Sequence, residues 1–179
     1  MATPPLTFRT AAPADSGAIV ALVESAYRGE ASRAGWTTEA DLLDGQRTDA
    51  AIVSGHIADP DARLLLAERD GYLCGSILMK REQVSTVYLG MFSVRPTEQA
   101  AGIGRHLLEH AEALAGRLWN SSVARMTVIS LREELIAWYE RRGYARTGER
   151  EAFPYGDARF GLPRRGDLEF VVLKKTLAR

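Results

Sequence analysis

Three groups of residues in this sequence are of a type and spacing that could do chemistry. The first is the run Gln99-Ala100-Ala101-Gly102-Ile103-Gly104-Arg105, which stands between a β-branched stretch ending at Val94 and an apolar-periodic stretch starting at Ile103. Glycines there let the backbone take positive φ, and a helix starting beside them aims its free N–H groups and its positive dipole end at the same spot. Such a site suits a pyrophosphate. It is not a P-loop, which needs GxxxxGK followed by Ser or Thr, and it lacks the third glycine of the dinucleotide fingerprint. The second group, His106-Leu-Leu-Glu109-His110, has the order of a zinc peptidase helix. At about 100° per residue both histidines fall opposite the apolar stripe of Ile103, Leu107, Ala111, Leu114 and Leu118, on the side of Arg117. A metal there would lack the dry cleft that metal catalysis needs, so no metal is expected. The third is Cys74, which has no partner for a disulfide or a CxxC pair and no evident base to make it a nucleophile. His56 stands alone and reads as a surface residue.

The elements that must position these groups follow from periodicity and turn residues. Leu6–Arg9 reads as a strand, and Pro13 and Asp15 open a helix whose buried face is Ile19, Leu22, Val23 and Ala26. The segment from Arg28 is irregular through Gly35 and Trp36, then helical from about Thr38 to near Gly55. Strands are expected over 64–67, 72–79 and 86–94, with Asp70-Gly71 as a hairpin turn, which together make an antiparallel meander. Gly90 inside the third strand signals a bulge, a close backbone approach or plain packing. A helix over 103–118, a strand over 123–130 and a helix over 133–142 ending at Gly143 come next. Strands 144–150 and 168–174 close the chain around a loop from about Pro154 to Gly166. This alternation implies one α/β domain over residues 1–179 with a mixed sheet.

Composition removes several classes of function. With 23 Lys and Arg against 23 Asp and Glu, the net charge is zero, which leaves no global field to hold nucleic acid or an anionic bilayer. Any anion must be held locally. The start Met1-Ala-Thr-Pro-Pro carries no basic residue, and the apolar run Ala18–Val23 is too short for a signal segment or a membrane span. A cytoplasmic location is expected.

The sequence resembles the GNAT superfamily of acyl-CoA N-acyltransferases. The resemblance rests on the start from Phe8-Arg9 through Asp15 to Leu22, on Met91-Phe-Ser-Val94-Arg-Pro96, on the loop through Gly104, and on Ala137-Trp-Tyr139-Glu-Arg-Arg-Gly143-Tyr144. It implies a mixed, mostly antiparallel sheet of six or seven strands flanked by about four helices. It also implies acetyl-CoA as co-substrate and transfer of the acetyl group directly to the primary amine of a small molecule. A non-catalytic CoA-binding sensor or interaction domain is the alternative, and a homodimer is an open option.

By position in the family, the loop Gln99, Ala100, Ala101, Gly102, Ile103 and Gly104 with Arg105 would hold the CoA phosphates, and the main chain of Phe92 and Val94 would pair with the pantetheine arm. A bulge at Gly90 would aim an N–H at the thioester oxygen. Tyr139 would protonate the leaving thiolate; on residue type alone, Trp138 and Tyr139 read as core aromatics. Many members carry Asn seven residues before that tyrosine, where this chain has Arg132, whose guanidinium could serve a phosphate instead. For the general base Glu82, Tyr88, Glu133, Glu134 and a water relay all stay open. Acceptor contacts are expected from Arg28, Trp36, Gln46 and Arg47, and from the loop containing Arg159, Arg164 and Arg165; the alternative for these residues is a solvated face. Their arginines favour an acceptor that bears a carboxylate, although Glu30, Glu39, Asp41 and Asp44 leave the sign of the cleft open.

Overall fold

The computed structural model describes residues 4–178. The chain runs through β1 (Thr7–Thr10), α1 (Ser16–Tyr27), α2 (Gly29–Ser32), β2 (Leu43–Asp44), α3 (Ala50–Ala58), β3 (Ala62–Arg69), β4 (Tyr72–Arg81) and β5 (Thr86–Val94). It continues with α4 (Ile103–Trp119), β6 (Val123–Ile129), α5 (Glu133–Glu140), β7 (Ala145–Ala152), β8 (Leu162–Pro163) and β9 (Glu169–Thr176). Seven strands form one sheet in the order β1-β3-β4-β5-β6-β9-β7, antiparallel except where β5 meets β6. β2 and β8 pair separately.

The continuous apolar run Leu64-Leu65-Leu66 shows why the sheet is covered on both faces, since successive strand residues point to opposite sides. Leu64 and Leu66 pack with Ile19, Val23 and Val53 of α1 and α3. Leu65 and Ala67 pack with Ile103, Leu107 and Ile136 of α4 and α5. The turn Asp70-Gly71 joins β3 to β4 with both residues at positive φ, 51° and 75°, as the tightest hairpin turns require.

Two features of β5 create space in the middle of the sheet. β5 pairs with β6 only over Thr86–Tyr88 against Val123–Arg125, so the strands separate beyond Tyr88. On its other edge, the register with β4 shifts between Ser76 and Leu78, which sets Met91 and Phe92 of β5 against Ile77 alone. The bulge carries Met91 at φ 45°. Gly90 beside it clears the Tyr88 ring, because a Cβ there would come within 2.6 Å of Tyr88 Cε1.

One expectation is corrected. Residues 38–48 are not helical but turn through Gly45 at φ 74°, and the helix begins only at Ala50, where the Asp49 carboxylate accepts from Ile52 N–H at 2.8 Å. Leu43–Asp44 are drawn instead into β2 by Leu162–Pro163 of the expected 154–166 loop. That pairing joins parts of the chain about 120 residues apart, and local periodicity does not encode it.

Candidate functional site

The separation of β5 and β6 opens two cavities of about 340 Å³ each, which share Tyr27, Phe92, Arg132, Leu135 and Tyr139. Tyr139 is 5% exposed and stands between Phe92, Trp138 and Tyr144, with ring centroids 6.3, 5.2 and 5.7 Å away. Burial pushes its phenol well above the ordinary tyrosine value, and nearby Tyr27 adds to that. Among the described residues its hydroxyl has no hydrogen-bond partner, yet it borders both cavities. A phenol held this way stays protonated across the accessible pH range.

The first cavity is built from the glycine loop, Phe92 and Val94 of β5, and α5. Ala100 and Gly102 take positive φ of 71° and 80°, and Gly102 caps α4. Among the described residues the amides of Ile103, Gly104 and Arg105 have no backbone acceptor, as the first turn of a helix leaves them. Gly104 faces a cleft that a side chain would fill: its Cβ would sit 3.5 to 3.6 Å from Phe92, Trp138 and Val94. Arg105, Arg141 and Arg142 also border this cavity, and none has a carboxylate within ion-pair distance among the described residues. Burial, with Arg141 and Arg105 nearby, lowers the Arg142 pKa. Its guanidinium lies 3.5 Å above the Trp138 ring and donates to Trp138 O at 2.7 Å. Free amides, a helix start and three unpaired guanidiniums fit a phosphate-bearing ligand such as CoA, and the apolar wall of Val94, Leu135 and Trp138 fits its arm.

Two strand carbonyls on this side are already engaged. Tyr27 donates to Phe92 O at 2.9 Å, and Gln99 Nε2 donates to Val94 O at 3.1 Å while its Oε1 accepts from Trp36 N–H at 3.0 Å. The Gln99 side chain is therefore a tie between the loop and residue 36. Trp36, expected against the acceptor, instead lines the first cavity with its ring 6.4 Å from Trp138.

The second cavity is bounded by β5 from Tyr88 to Phe92, β6 from Met126 to Ile129, and residues drawn from both sides of the β2–β8 pair. Its charged wall is an ion cluster. Glu39 accepts from Arg28 at 2.7 Å and from Arg132 at 3.0 Å, all three buried, and Arg132 also donates to Thr37 Oγ1 at 2.7 Å. Burial alone would raise the Glu39 carboxyl, but Arg132 and Arg28 outweigh it and hold the group below its ordinary value. Arg132 is thus committed to Glu39 and Thr37 rather than to a phosphate. Glu151, on the opposite wall, pairs with Arg125. Arg47 is the remaining charge. It lies 5.1 Å over the Tyr27 ring and has no ion pair among the described residues.

Other expected residues lie elsewhere. Gln46 donates to Asp49 at 3.2 Å, and Arg159, Arg164 and Arg165 pair with Asp157, Asp44 and Asp167; none of the four borders either cavity. Of the groups left open as base, Tyr88 borders the second cavity, whereas Glu82 pairs with Arg125, Glu133 with Arg146, and Glu134 accepts from Thr37. Glu151, Tyr27, Arg141 and Arg142 went unassigned; the last two sit in the Glu-Arg-Arg-Gly run and could have been read from its charge. His110 stacks on Phe8 at 4.5 Å and His106 lies beside Arg105, and no group of metal-ligating residues assembles among the described residues. There too, no helix is long and apolar enough to cross a membrane.

No curated protein matches the sequence. Solved structures share the fold. The ribosomal-protein-S18-alanine N-acetyltransferase from Escherichia coli superposes with a TM-score of 0.70 at 14% identity, over 98% of this chain and 96% of its own. A nourseothricin acetyltransferase gives 0.67 at 20%, over 97% and 99%. Mutant forms of the spermidine/spermine N-acetyltransferase SpeG from Vibrio cholerae give 0.65 at 15%, over 96% and 95%. Residues 19–144, more than half of the 179, match the profile of the Acetyltransferase (GNAT) family. With its glycine loop, its divided sheet and its buried tyrosine in place, the chain belongs to that family.

Proposed function

We propose that this protein transfers the acetyl group of acetyl-CoA directly to the primary amine of a small molecule that bears a carboxylate. The observation that carries the reading is the meeting of two cavities at Tyr139, one suited to a phosphate-bearing arm and the other, of about 340 Å³, with room for a small amine. When bound, acetyl-CoA supplies a thioester: the acceptor nitrogen bonds to its carbonyl carbon as the carbon–sulfur bond breaks, giving an amide and a thiol. The Tyr139 hydroxyl gives its proton to the departing sulfur and regains one from the acceptor nitrogen through water, so the protons balance. Amides of the bulge around Met91 hold the negative charge that grows on the carbonyl oxygen. Arg105, Arg141, Arg142 and the loop amides fix the phosphates, so the reacting carbon is held near the amine.

Thiol release from acetyl-CoA in the presence of small primary amines tests this reading. Release that depends on the amine is expected. If acetyl-CoA raises the melting temperature but no amine yields thiol, the protein is a binding domain and not a transferase.

A further inference from the structure

We propose that the acceptor is a free amino acid with a bulky apolar or aromatic side chain, its carboxylate on Arg47 and its side chain against the roof formed by Leu43 and Phe160. This rests on the acetyl-transfer reading and adds the class of acceptor to it.

The charges of the second cavity favour an anionic acceptor. Two carboxylates reach it, and both are spent: Glu39 between Arg28 and Arg132, Glu151 on Arg125. A polycation entering there would meet no free carboxylate and an unpaired guanidinium. Arg47 is held ready by its backbone, because one oxygen of Glu24 accepts from both Arg47 N–H and Thr48 N–H at 2.7 Å. A guanidinium fixed over an aromatic face, with its fork uncommitted, binds a carboxylate through paired hydrogen bonds.

Part of the cavity wall is apolar. Leu43, Met126, Ile129, Phe153, Phe160 and Phe170 border the cavity and offer no polar side-chain atom. A side chain lying against this apolar stretch is favoured when it is aliphatic or aromatic, because a polar one would lose water there, away from the Tyr88 and Thr127 hydroxyls on the strands of the cavity. The roof is tied down on one side: Arg164 N–H donates to Leu42 O at 2.9 Å, and Arg28 donates to Phe160 O at 3.4 Å. Gly161, at φ 98°, is so close to the opposite strand that a Cβ would lie 3.0 Å from Asp44 O. The cavity of about 340 Å³ has room for a free amino acid beneath this seam.

The test compares acceptors by kcat/KM for thiol release: phenylalanine and leucine against phenethylamine, serine, spermidine and a short peptide. Phenylalanine or leucine is expected to exceed each of the others by at least about 10-fold. In Arg47→Met the ratio of phenylalanine to phenethylamine should fall toward one. In Phe160→Asp the ratio of phenylalanine to serine should fall likewise. Equal use of phenylalanine and phenethylamine, or preference for spermidine or the peptide, overturns the proposal and leaves acetyl transfer standing. Calorimetry with phenylalanine in the absence of acetyl-CoA separates the two readings: saturable binding that weakens in Arg47→Met supports the acceptor class even without turnover. No binding together with no selective turnover overturns it.

Discussion

The first cavity takes most of its polar groups from two short runs of chain, the loop 99–105 and Arg141-Arg142 just after α5, whereas the second cavity assembles side chains from every quarter of the sequence. On the first side the binding groups are mainly backbone: amides freed by a helix start and two residues at positive φ. On the second side they are side chains held by long-range pairs such as Arg28 with Phe160 and Arg132 with Glu39, 132 and 93 positions apart. Backbone sites tolerate change around them but not at their glycines. Side-chain sites are adjustable and depend on each partner staying charged. A family can therefore keep one side while altering the other, and the two sides should fail separately.

The largest expected effect is on the acceptor side. Glu39→Gln removes the one charge that balances Arg28 and Arg132 in a buried place, at a cost of about 3–5 kcal/mol. For a chain of this size that lowers the melting temperature by roughly 10 °C, measured by calorimetry. The folded fraction should still gain stability from acetyl-CoA, because no group of the loop is touched. Loss of both would mean that the two cavities are one cooperative unit.

At the junction, Tyr139→Phe removes a hydroxyl and almost no volume. Turnover should fall by about 10²-fold or more, while acetyl-CoA binding survives. Because burial raises the Tyr139 phenol, the wild-type rate should show no alkaline loss from this group up to about pH 10. A variant that keeps full turnover would make Tyr139 a core aromatic and nothing more.

On the cofactor side, Gly104→Val would push methyl groups into the cleft between Phe92, Val94 and Trp138. At 100 times its Kd a ligand adds about 2.7 kcal/mol, a shift of roughly 5–10 °C. That shift should vanish in the variant while acceptor binding by calorimetry persists. A full shift in Gly104→Val would move the phosphate site away from the loop.

The same contrast explains what the sequence made legible. The loop, the helix after it and the meander before it were readable because glycine spacing and apolar period act over a few residues. Gly90 marked the bulge for the same local reason, although its need, room for the Tyr88 ring, appears only in three dimensions. The acceptor wall was not readable in that way. Arg28, Arg47, Arg159 and Arg164 are alike as letters, and only the fold shows that Asp157, Asp44 and Glu39 neutralise three of them and leave Arg47. The expected helix from Thr38 failed because β8 claims residues 43–44 from far along the chain.

The smallest effect belongs to a region that neither cavity uses, and it serves as the control. Arg9 of β1 donates to both oxygens of Asp15 at 2.7 and 2.8 Å and to Glu68 at 2.6 Å, which ties the chain before α1 to β3. The hydrogen bonds from Arg9 hold Asp15 at about 2, below its ordinary value near 3.9. A carboxyl whose pKa is lowered by folding stabilises the protein above its unfolded pKa and loses that contribution as pH falls through the folded value. The window is therefore from about pH 4 down to about pH 2. The Arg9 side chain is 43% exposed, so solvent screening limits the tie to about 1 kcal/mol at most. Asp15→Asn should melt about 2–4 °C below wild type at pH 7, and the two melting curves should converge near pH 2. Acetyl-CoA stabilisation and turnover per folded molecule should not change. A drop in turnover at pH 7 without a matching drop in melting temperature would show that the β1–α1 corner reaches the site through Tyr27, which borders both cavities, and the two would then share a support.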